Sequence, residues 1–528
     1  MRRPPRRAVV PSRHAASRVR PRRAGDGASM HLSYGEEHGG VRLRLALRFS
    51  ADAGARVIVL AAVAIFVGFW LDRSLTSWRD MRTHAYDLAV FDQLIWNTAH
   101  GRLFETSFAP YNYLGDHFQP VLILFVPIYW LGGGAQALLG AQALVSGLAA
   151  IALYEAARAL RLHPVLAASA AVTYLLNPYL HRALAFDFHP ETMLALPAFA
   201  ALSAFAGGRI RLGVALALSL LLFKEDAVFV TLAMAGCAAT LGRRRPALAV
   251  ASVALLSTVL VVGWLMPHAR DGYPSHLAAR YTVLGGREGL SALAFMAQHP
   301  SEAVRVLAQP GRTEPGVQFV AAAPWVLLAP WQALALSPGL ALTLLSSHAP
   351  QRTLDLHYAV EMVPVAALAG LFACRRLARS LPVPSVAALI LLSTVLATLA
   401  LSPVSPSARS GAGQGKATHV RAVEEAIALV PPDAAVSAQS NLAPRLAHRQ
   451  QLWVFPGWWE EADWVLVESD DGSEDDFRAA LESVRRRVPA GLRGRRRPPL
   501  PIATQLASAP RHDQPVAAHL IAAEVRRG

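Results

Sequence analysis

Long apolar runs separated by short polar turns dominate the chain between about residue 56 and residue 401. A helix that crosses a bilayer core needs about 20 apolar residues, and at least about 17. The runs are of this length and recur, so the pattern predicts an all-α polytopic membrane protein with about eleven spans. The predicted spans lie near residues 56–71, 135–157, 164–181, 191–206, 211–223, 226–242, 246–266, 316–329, 331–346, 357–373 and 382–401.

A shorter apolar run, FQPVLILFVPIYWLG at residues 118–132, contains two prolines. It is too short for a membrane span, because only about a dozen of its residues are apolar and a span requires about 17 or more. We therefore predict a re-entrant or membrane-surface helix within a large first outer loop, residues 72–134.

Arginine clusters set the orientation, because cytoplasmic loops of membrane proteins carry an excess of basic residues. With eleven spans and a cytoplasmic N-terminus, every cluster between spans faces the cytoplasm, whereas counting 118–132 as a span would put most of them outside. The sequence thus predicts a cell membrane protein with an extracytoplasmic C-terminal domain. Its use of arginine in place of lysine at all but two positions, Lys224 and Lys416, points to a bacterium with a GC-rich genome. The clusters are Arg158 and Arg161, Arg209 and Arg211, Arg243, Arg244 and Arg245, and Arg375, Arg376 and Arg379.

Composition supports the membrane class. Hydrophobic residues make up 53% of the 528 residues and charged residues 16%, whereas soluble proteins carry about 25% charged residues. The net charge of +15 does not indicate nucleic-acid binding, because nine arginines cluster within residues 2–23. Residues 1–55 are predicted to be a disordered, Arg-rich cytoplasmic tail. It is either solvated, an over-extended start preceding Met30, or an anchor near anionic lipid.

The chain changes character after residue 401. Residues 402–418 are rich in Ser, Gly and Pro and are typical of a linker. Residues 419–483 combine a segment of helical periodicity with three short strand-like runs, AAVSAQ, LWVF and DWVLVE, which predicts a small α/β domain on the outer face. Residues 484–528 are Arg- and Pro-rich and are predicted to be poorly ordered.

Two carboxylates in the first outer loop are candidates for catalysis. Asp87 and Asp92 lie in YDLAVFDQLIW, whose apolar pattern suits a helix along the membrane surface. Five residues apart, they would point about 140° away from each other on a helix. Either carboxylate could act as a general base on an acceptor hydroxyl or bind a cation. Helix capping or simple solvation is an equal alternative for each.

Other ionisable residues beside apolar helix ends also face the outside in this topology, and such residues mark functional sites in membrane proteins. Asp187, His189 and Glu191 alternate along the chain, and an imidazole beside carboxylates can bind a metal, but their spacing is not that of a zinc motif. Lys224 either binds phosphate or pairs internally with the acids next to it. The further candidates for binding substrate are Asp116, His117, Glu225, Arg352, His357 and Tyr358.

The sequence lacks the motifs of several classes of protein function. The chain contains no Walker-type phosphate loop, no dinucleotide-binding fingerprint and no zinc-protease motif. ATP-driven transport by this chain alone is therefore disfavoured, and the two halves do not repeat as in many secondary transporters.

The segments YDLAVFDQLIWNTAHGR, DHFQPVLIL, FHPE, FKEDA and PPDAAVSAQSNLAPRLAHR resemble the bacterial membrane-protein family named domain of unknown function 2079, over roughly residues 60–470. That family is similar to the GT-C glycosyltransferases, multi-span enzymes with a large first outer loop. The resemblance implies transfer of a sugar from a polyprenyl-phosphate carrier to an acceptor on the outer face. The chain departs from the expected late motif at Pro444-Arg445, where a Pro-His pair is expected.

Transferred by motif, the resemblance makes Asp87 the first candidate for the acidic catalytic residue and Asp92 the second. It makes His117, His189, Lys224, Glu225 and His357 walls of a site for the lipid phosphate and sugar. No cofactor is assigned, although a divalent cation stays open, and protein partners are unknown. A transporter or flippase of a lipid-linked envelope precursor, and a non-catalytic assembly protein, remain the alternatives.

Overall fold

A computed structural model describes residues 51–275, 280–287, 289–404 and 414–468, together with positions 479, 482, 483 and 520–524. The predictions for residues 1–50, most of the linker and most of the C-terminal tail lie outside these residues. The earlier α-helices are α1 (Ala51–Arg79), α2 (Val90–Ala99), α3 (Val126–Trp130), α4 (Ala135–Ala159), α5 (Pro164–Leu175), α6 (Pro178–Ala185), α7 (Ala195–Ala206), α8 (Ile210–Ser219), α9 (Val228–Thr240), α10 (Arg244–Leu260) and α11 (Met266–Ala269).

The later α-helices are α12 (Gly289–Gln298), α13 (Pro300–Leu307), α14 (Glu314–Ala322), α15 (Pro330–Ala333), α16 (Ser337–Leu344), α17 (Ala349–Arg352), α18 (Met362–Leu377), α19 (Val383–Leu401) and α20 (Gln414–Ile427). The 3₁₀ turns lie at Tyr113–Gly115, Pro120–Phe125, Pro190–Met193, Leu220–Leu222, Glu225–Ala227, Thr282–Leu284, Pro324–Leu328, Leu334–Leu336 and Ala443–Arg445, and the π-helical turns at Ala85–Ala89 and Val261–Leu265.

Four helices of the described part are long and apolar enough to cross a membrane, which supports the membrane class. They are Ala51–Arg79, Ala135–Ala159, Arg244–Ala269 and Val383–Leu401. Each is at least 19 residues long, and 19 residues at 1.5 Å per residue extend about 28 Å, close to the thickness of a bilayer core. The sequence-based number of about eleven spans is not confirmed.

Proline and asparagine explain why several predicted spans are divided. The predicted span 164–181 is split where the Asn177 side chain accepts hydrogen bonds from the backbone amides of Tyr179 and Leu180. Pro178 follows as the first residue of α6, a position where its missing N–H costs nothing. Pro324 and Pro330 interrupt the later apolar segments in the same way.

The run at residues 118–132 forms a 3₁₀ turn, Pro120–Phe125, followed by α3. Together these eleven residues, Pro120–Trp130, would extend about 16 Å at the α-helical rise. This is about half of a bilayer core. The segment is therefore too short to cross a membrane as a helix, as its composition indicated.

Helix α1 packs closely on α4. A Cβ atom at Gly147 of α4 would collide with the Val67 side chain of α1, so glycine lets the two backbones approach. At one end of this pair, Arg158 donates to Asp52 at 2.8 Å and Arg56 contacts Glu155. These charged residues lie at the end of the helices opposite to the first outer loop.

The same separation recurs along the chain. Each predicted arginine cluster lies at one end of its helices, and the candidate site residues lie at the other: Arg209 precedes α8 and Lys224 follows it, while Glu361 precedes α18 and Arg375 lies in its last turn. The two chemically different faces predicted from the sequence are thus distinct in the structure.

A small sheet forms the C-terminal α/β region, with strands β1 (Val436–Ala438), β2 (Leu452–Val454), β3 (Trp464–Glu468) and β4 (Leu520–Glu524) in the order β2-β1-β3-β4. β1 pairs in parallel with β2 and β3, and β4 pairs antiparallel with β3. The first three strands coincide with the three strand-like sequence runs. β4 comes from the tail for which poor order was predicted.

The α/β region packs against the first outer loop. Met81, Ala85 and Ala89 share an apolar cluster with residues such as Val423 and Leu442 of the α/β region. On its other side the same loop contributes buried side chains to the helical core. The segment from residue 81 to residue 95 therefore contacts two apolar cores, where its amphipathic pattern had suggested a helix lying along the membrane surface.

Candidate functional site

Asp87 projects from the π-helical turn Ala85–Ala89, which directly precedes α2. Such turns occur often at functional sites. The Asp87 carboxylate lies 3.0 Å from Nε2 of His189, and the ring of His189 stacks on that of His357 with 3.6 Å between centroids. The structure therefore brings together three residues that are far apart in the chain and that the sequence had put forward separately.

These three side chains could hold a metal ion. One ligand atom each from Asp87, His189 and His357 lies within 4.8 Å of the other two. Nδ1 of His357 is buried and makes no hydrogen bond, which is costly for a polar atom unless a ligand satisfies it. Two imidazoles and a carboxylate are ligands that zinc and similar divalent cations accept. Asp187 and Glu191, which the sequence grouped with His189, turn to other partners.

Asp187 forms hydrogen bonds with His84, which directly precedes the π-helical turn that contains Asp87. Its Oδ2 atom accepts hydrogen bonds from the backbone amide of His84, at 2.7 Å, and lies 3.0 Å from Nδ1 of the same residue. The hydrogen bond to Asp187 raises the pKa of His84 although partial burial opposes the charged form. The loop from Phe186 to His189 thus anchors the start of the π-helical turn.

A buried glutamine supports this loop from α4, and sequence reasoning missed it. Oε1 of Gln142 accepts from the backbone amide of His189 at 2.7 Å, and Nε2 donates to the carbonyl of Asp187 at 3.4 Å. Gln142 is fully buried. An isolated amide inside an otherwise apolar predicted span is expensive unless it is paired, and this was the signal that could have identified it.

Lys224 lies in a buried group of acids. Its Nζ atom is 3.1 Å from Glu191, 3.7 Å from Asp226 and 3.7 Å from Glu361. Nε2 of Gln119 donates to the same oxygen of Glu191 at 3.1 Å. The environment of Lys224 thus favours the internally paired arrangement over phosphate binding, and Glu361 is a member of the group that the sequence did not suggest.

His117 and Glu225 form a neighbouring pair. Nδ1 of His117 lies 2.8 Å from Oε1 of Glu225, whose other oxygen accepts from the backbone amide of Phe118 at 3.0 Å. Burial opposes the charged imidazole, but the Glu225 carboxylate raises the pKa of His117 above its usual value. The same contact lowers the pKa of Glu225 despite its burial.

This pair predicts a pH dependence of stability. Because the pKa of His117 is higher in the folded than in the unfolded protein, protonation of His117 increases the free energy of unfolding. This contribution is fully present below about pH 6.5, the pKa in the unfolded chain, and is lost as pH rises through the pKa in the folded protein. The pKa of Glu225 is lower in the folded protein, so the ionised carboxylate increases the free energy of unfolding above about pH 4.3. This contribution is lost as pH falls through the pKa in the folded protein. We expect thermal unfolding in detergent to show a smaller loss of stability between pH 6 and pH 8 for His117→Gln than for the wild type.

Each unit by which the folded and unfolded pKa values differ is worth about 1.4 kcal/mol. Asp116 and Lys224 also act on His117, in opposite directions, so the comparison is made between variant and parent at each pH. His299→Gln is a matched control, because it replaces an exposed histidine whose ring contacts Phe295 rather than a carboxylate. Equal pH profiles for His117→Gln and the wild type would contradict the prediction.

A cavity of about 590 Å³ adjoins these groups. Its charged end includes His117, Lys224, Glu361 and His357, the last of which also belongs to the group around Asp87. Apolar side chains continue the wall, including Phe229, Val262, Met266, Met296, Leu342 and Met362. The cavity therefore suits a molecule with a polar head and an apolar tail.

Asp92 lies apart from this cavity. It is buried in α2, and its Oδ1 atom accepts from the Tyr129 hydroxyl at 2.5 Å and lies 3.1 Å from Nε2 of His448 in the α/β region. Burial opposes the charged form of His448, but Asp92 raises its pKa. The sequence motif thus contains two carboxylates with different surroundings, and His448 follows the unexpected Pro444-Arg445 pair.

The remaining candidates lie at the edges of the site. Asp116 is 3.3 Å from the Tyr111 hydroxyl. Tyr358 lines the cavity, whereas Arg352 does not and donates instead to the Ser347 carbonyl at 3.3 Å. The catalytic and binding roles assigned to all these residues remain predictions.

Comparison with known proteins gives one match at the level of family. No curated protein sequence matches the chain. A crystal structure of the Archaeoglobus fulgidus oligosaccharyltransferase in complex with Zn and sulfate is similar at 13% identity and a TM-score of 0.39, covering 79% of this chain and 68% of that chain. The family described as "Predicted membrane protein (DUF2079)" matches residues 78–487, and the chain belongs to this family.

Proposed function

We propose that the protein is a membrane glycosyltransferase that moves a sugar from a polyprenyl-phosphate-linked donor to an acceptor on the outer face. The observation that carries the proposal is the position of Asp87. Its carboxylate is partly exposed, contacts His189 at 3.0 Å, and lies beside a cavity with a charged end and an apolar wall. A lipid-linked sugar combines these polarities, and it requires no nucleotide, in keeping with the missing nucleotide motifs.

In the proposed reaction a hydroxyl of the acceptor attacks the anomeric carbon of the donor sugar. Asp87 accepts the hydroxyl proton as the new carbon–oxygen bond forms. The bond between the anomeric carbon and the phosphate oxygen breaks, and the polyprenyl phosphate leaves with its electron pair. His189 orients the Asp87 carboxylate through the hydrogen bond between them.

If a divalent cation binds, Asp87, His189 and His357 would be its ligands, in place of the direct hydrogen bond between Asp87 and His189. The cation would then supply positive charge to an oxygen at the reacting centre. We expect transfer by the purified protein to fall at least about 10-fold after treatment with EDTA and to return on addition of a divalent cation. Metal analysis of purified His357→Gln should show less bound cation than the wild type. Full activity in EDTA, with no bound metal, would assign the three residues to acid–base chemistry alone.

The proposed orientation places this site on the extracytoplasmic side of a bacterial cell membrane, with the N-terminus in the cytoplasm. It is supported by the arginine clusters at the opposite ends of the helices. A polyprenyl-linked sugar presented on the outer leaflet would then reach the cavity and an acceptor of the envelope directly.

The test compares polyprenyl-linked sugars and envelope glycans in cells with and without the gene. We expect the lipid-linked sugar to accumulate and one glycan to lose a sugar when the gene is absent. Unchanged glycan and lipid-linked pools would overturn the proposal. The alternative, a transporter or flippase of the same precursor, predicts movement of the intact donor across sealed vesicles with no bond broken.

A further inference from the structure

The sequence puts forward Lys224 as a cation for the phosphate of a lipid-linked donor and Arg352 as a further candidate for binding substrate. In the structure Lys224 lies within 3.7 Å of carboxylate oxygens from Glu191, Asp226 and Glu361. An anion placed at Lys224 would therefore have to compete with three acidic side chains that already surround the Lys224 ammonium group. This leaves the phosphate to be held by other cations of the cavity.

A second group of cations surrounds the turn at residues 346–348. The backbone carbonyl of Arg280 accepts from the Ser347 amide at 2.6 Å. Nη1 of Arg352 donates to the Ser347 carbonyl at 3.3 Å, and Nη1 of Arg312 donates to the Ser346 carbonyl at 2.6 Å. Residues from three separate segments thus bring three arginines to one short turn.

The charge of this group is not neutralised within the described part of the chain. No described carboxylate lies within 4.0 Å of the guanidinium groups of Arg280, Arg312 or Arg352, and Asp355, although close in sequence, pairs with Arg182 at 3.0 Å. Burial and then the charges of Arg280 and Arg352 lower the pKa of the neighbouring His348. The turn is therefore a region of uncompensated positive potential.

The three arginines differ in what they can offer a ligand. Arg312 is buried and donates to two backbone carbonyls, so it supports the turn. Arg280 lines the cavity, and its guanidinium lies 5.6 Å from the ring centroid of Tyr358, which lines the same wall. Arg352 is partly exposed beside it. A guanidinium presents a planar set of donors that matches the oxygens of a phosphate.

We propose that Arg280, which lines the cavity, and Arg352, which contacts the same turn at residues 346–348, form the subsite for the phosphate group of a lipid-linked ligand. The inference rests on the proposed function for the identity of the lipid, but binding at the subsite requires no turnover. The apolar lining of the cavity favours a lipid phosphate over free inorganic phosphate.

The test measures binding of a polyprenyl monophosphate, the corresponding polyprenol and inorganic phosphate to the full chain in detergent. We expect Arg280→Gln and Arg352→Gln each to weaken binding of the polyprenyl monophosphate at least 10-fold and to leave polyprenol binding unchanged. Arg280→Lys, which keeps the charge but loses the planar donors, should give an intermediate loss. Arg305→Gln is the matched control, because Arg305 is exposed and paired with Glu302.

Wild-type-like binding of the polyprenyl monophosphate by both glutamine variants would overturn the subsite and leave the proposed function standing. Failure of the wild type to bind either polyprenyl compound would instead contradict the proposed function. Arginine-dependent binding of inorganic phosphate without binding of the lipid phosphate would overturn the lipid assignment.

Discussion

Asp87→Asn is expected to abolish sugar transfer, with a loss on the order of 10²- to 10⁴-fold, the usual contribution of a general acid or base. Asparagine has nearly the same shape and keeps an oxygen for His189, but it cannot accept the proton of an acceptor hydroxyl. It is also a weaker ligand for a divalent cation. The measurement is transfer from a polyprenyl-linked donor by purified protein, with thermal unfolding as a check that the fold is intact.

Two other carboxylates of the same loop serve as comparisons. Asp80→Asn changes a residue that pairs with Arg82, and transfer should be unaffected. Asp92→Asn keeps an oxygen for Tyr129 and His448 but loses the charge, so we expect its main effect to be on stability. Full transfer by both Asp87→Asn and Asp92→Asn would remove the assigned base.

Lys224→Met is expected to destabilise the fold by about 3–5 kcal/mol, because removing one partner of a buried ion pair leaves an uncompensated charge. Here Glu191, Asp226 and Glu361 would all lose the same cation. Methionine has a similar length and an apolar side chain, so the effect arises mainly from charge. Thermal or chemical unfolding in detergent measures the loss.

The matched control is Arg305→Met, which removes an exposed cation from the pair with Glu302. Exposed pairs contribute only about 0–1 kcal/mol, so this variant should unfold close to the wild type. A stable Lys224→Met protein whose binding of the lipid phosphate is lost would contradict the structural role of Lys224. It would then identify the lysine as the phosphate-binding cation.

The residues of the candidate site around Asp87 could be predicted in part, because most of them lie next to the ends of apolar helices. The sequence put forward Asp87, His189 and His357 as candidates because ionisable residues next to apolar helix ends stand out in a membrane protein. Their mutual contact could not be derived, since nothing in a hydropathy pattern fixes which outer loops meet. Gln142 and Arg280 were missed, because one lies inside an apolar span and the other in a long loop without a recognisable pattern.

The contacts of Asp92 also could not be derived from the sequence. The helical spacing correctly placed it on a different side from Asp87, and the motif therefore offered two candidates. Only the packing of the α/β region on α2 shows that Asp92 meets Tyr129 and His448 in a buried contact. Likewise, the amphipathic pattern of this segment was compatible with packing on a membrane surface or on another part of the protein. The structure shows Ala85, just before α2, in an apolar cluster with Val423 of the α/β region.

By itself, the sequence determined the membrane class, the two chemically distinct ends of the helices and the three strand segments between residues 436 and 468. These properties follow from local composition and periodicity, because the cost of placing polar groups in hydrocarbon acts on each segment separately. Tertiary structure alone decided that His357 joins Asp87 and His189, that three acids surround Lys224, and that arginines gather around residues 346–348. Such contacts depend on how distant segments pack, which a single sequence pattern does not encode.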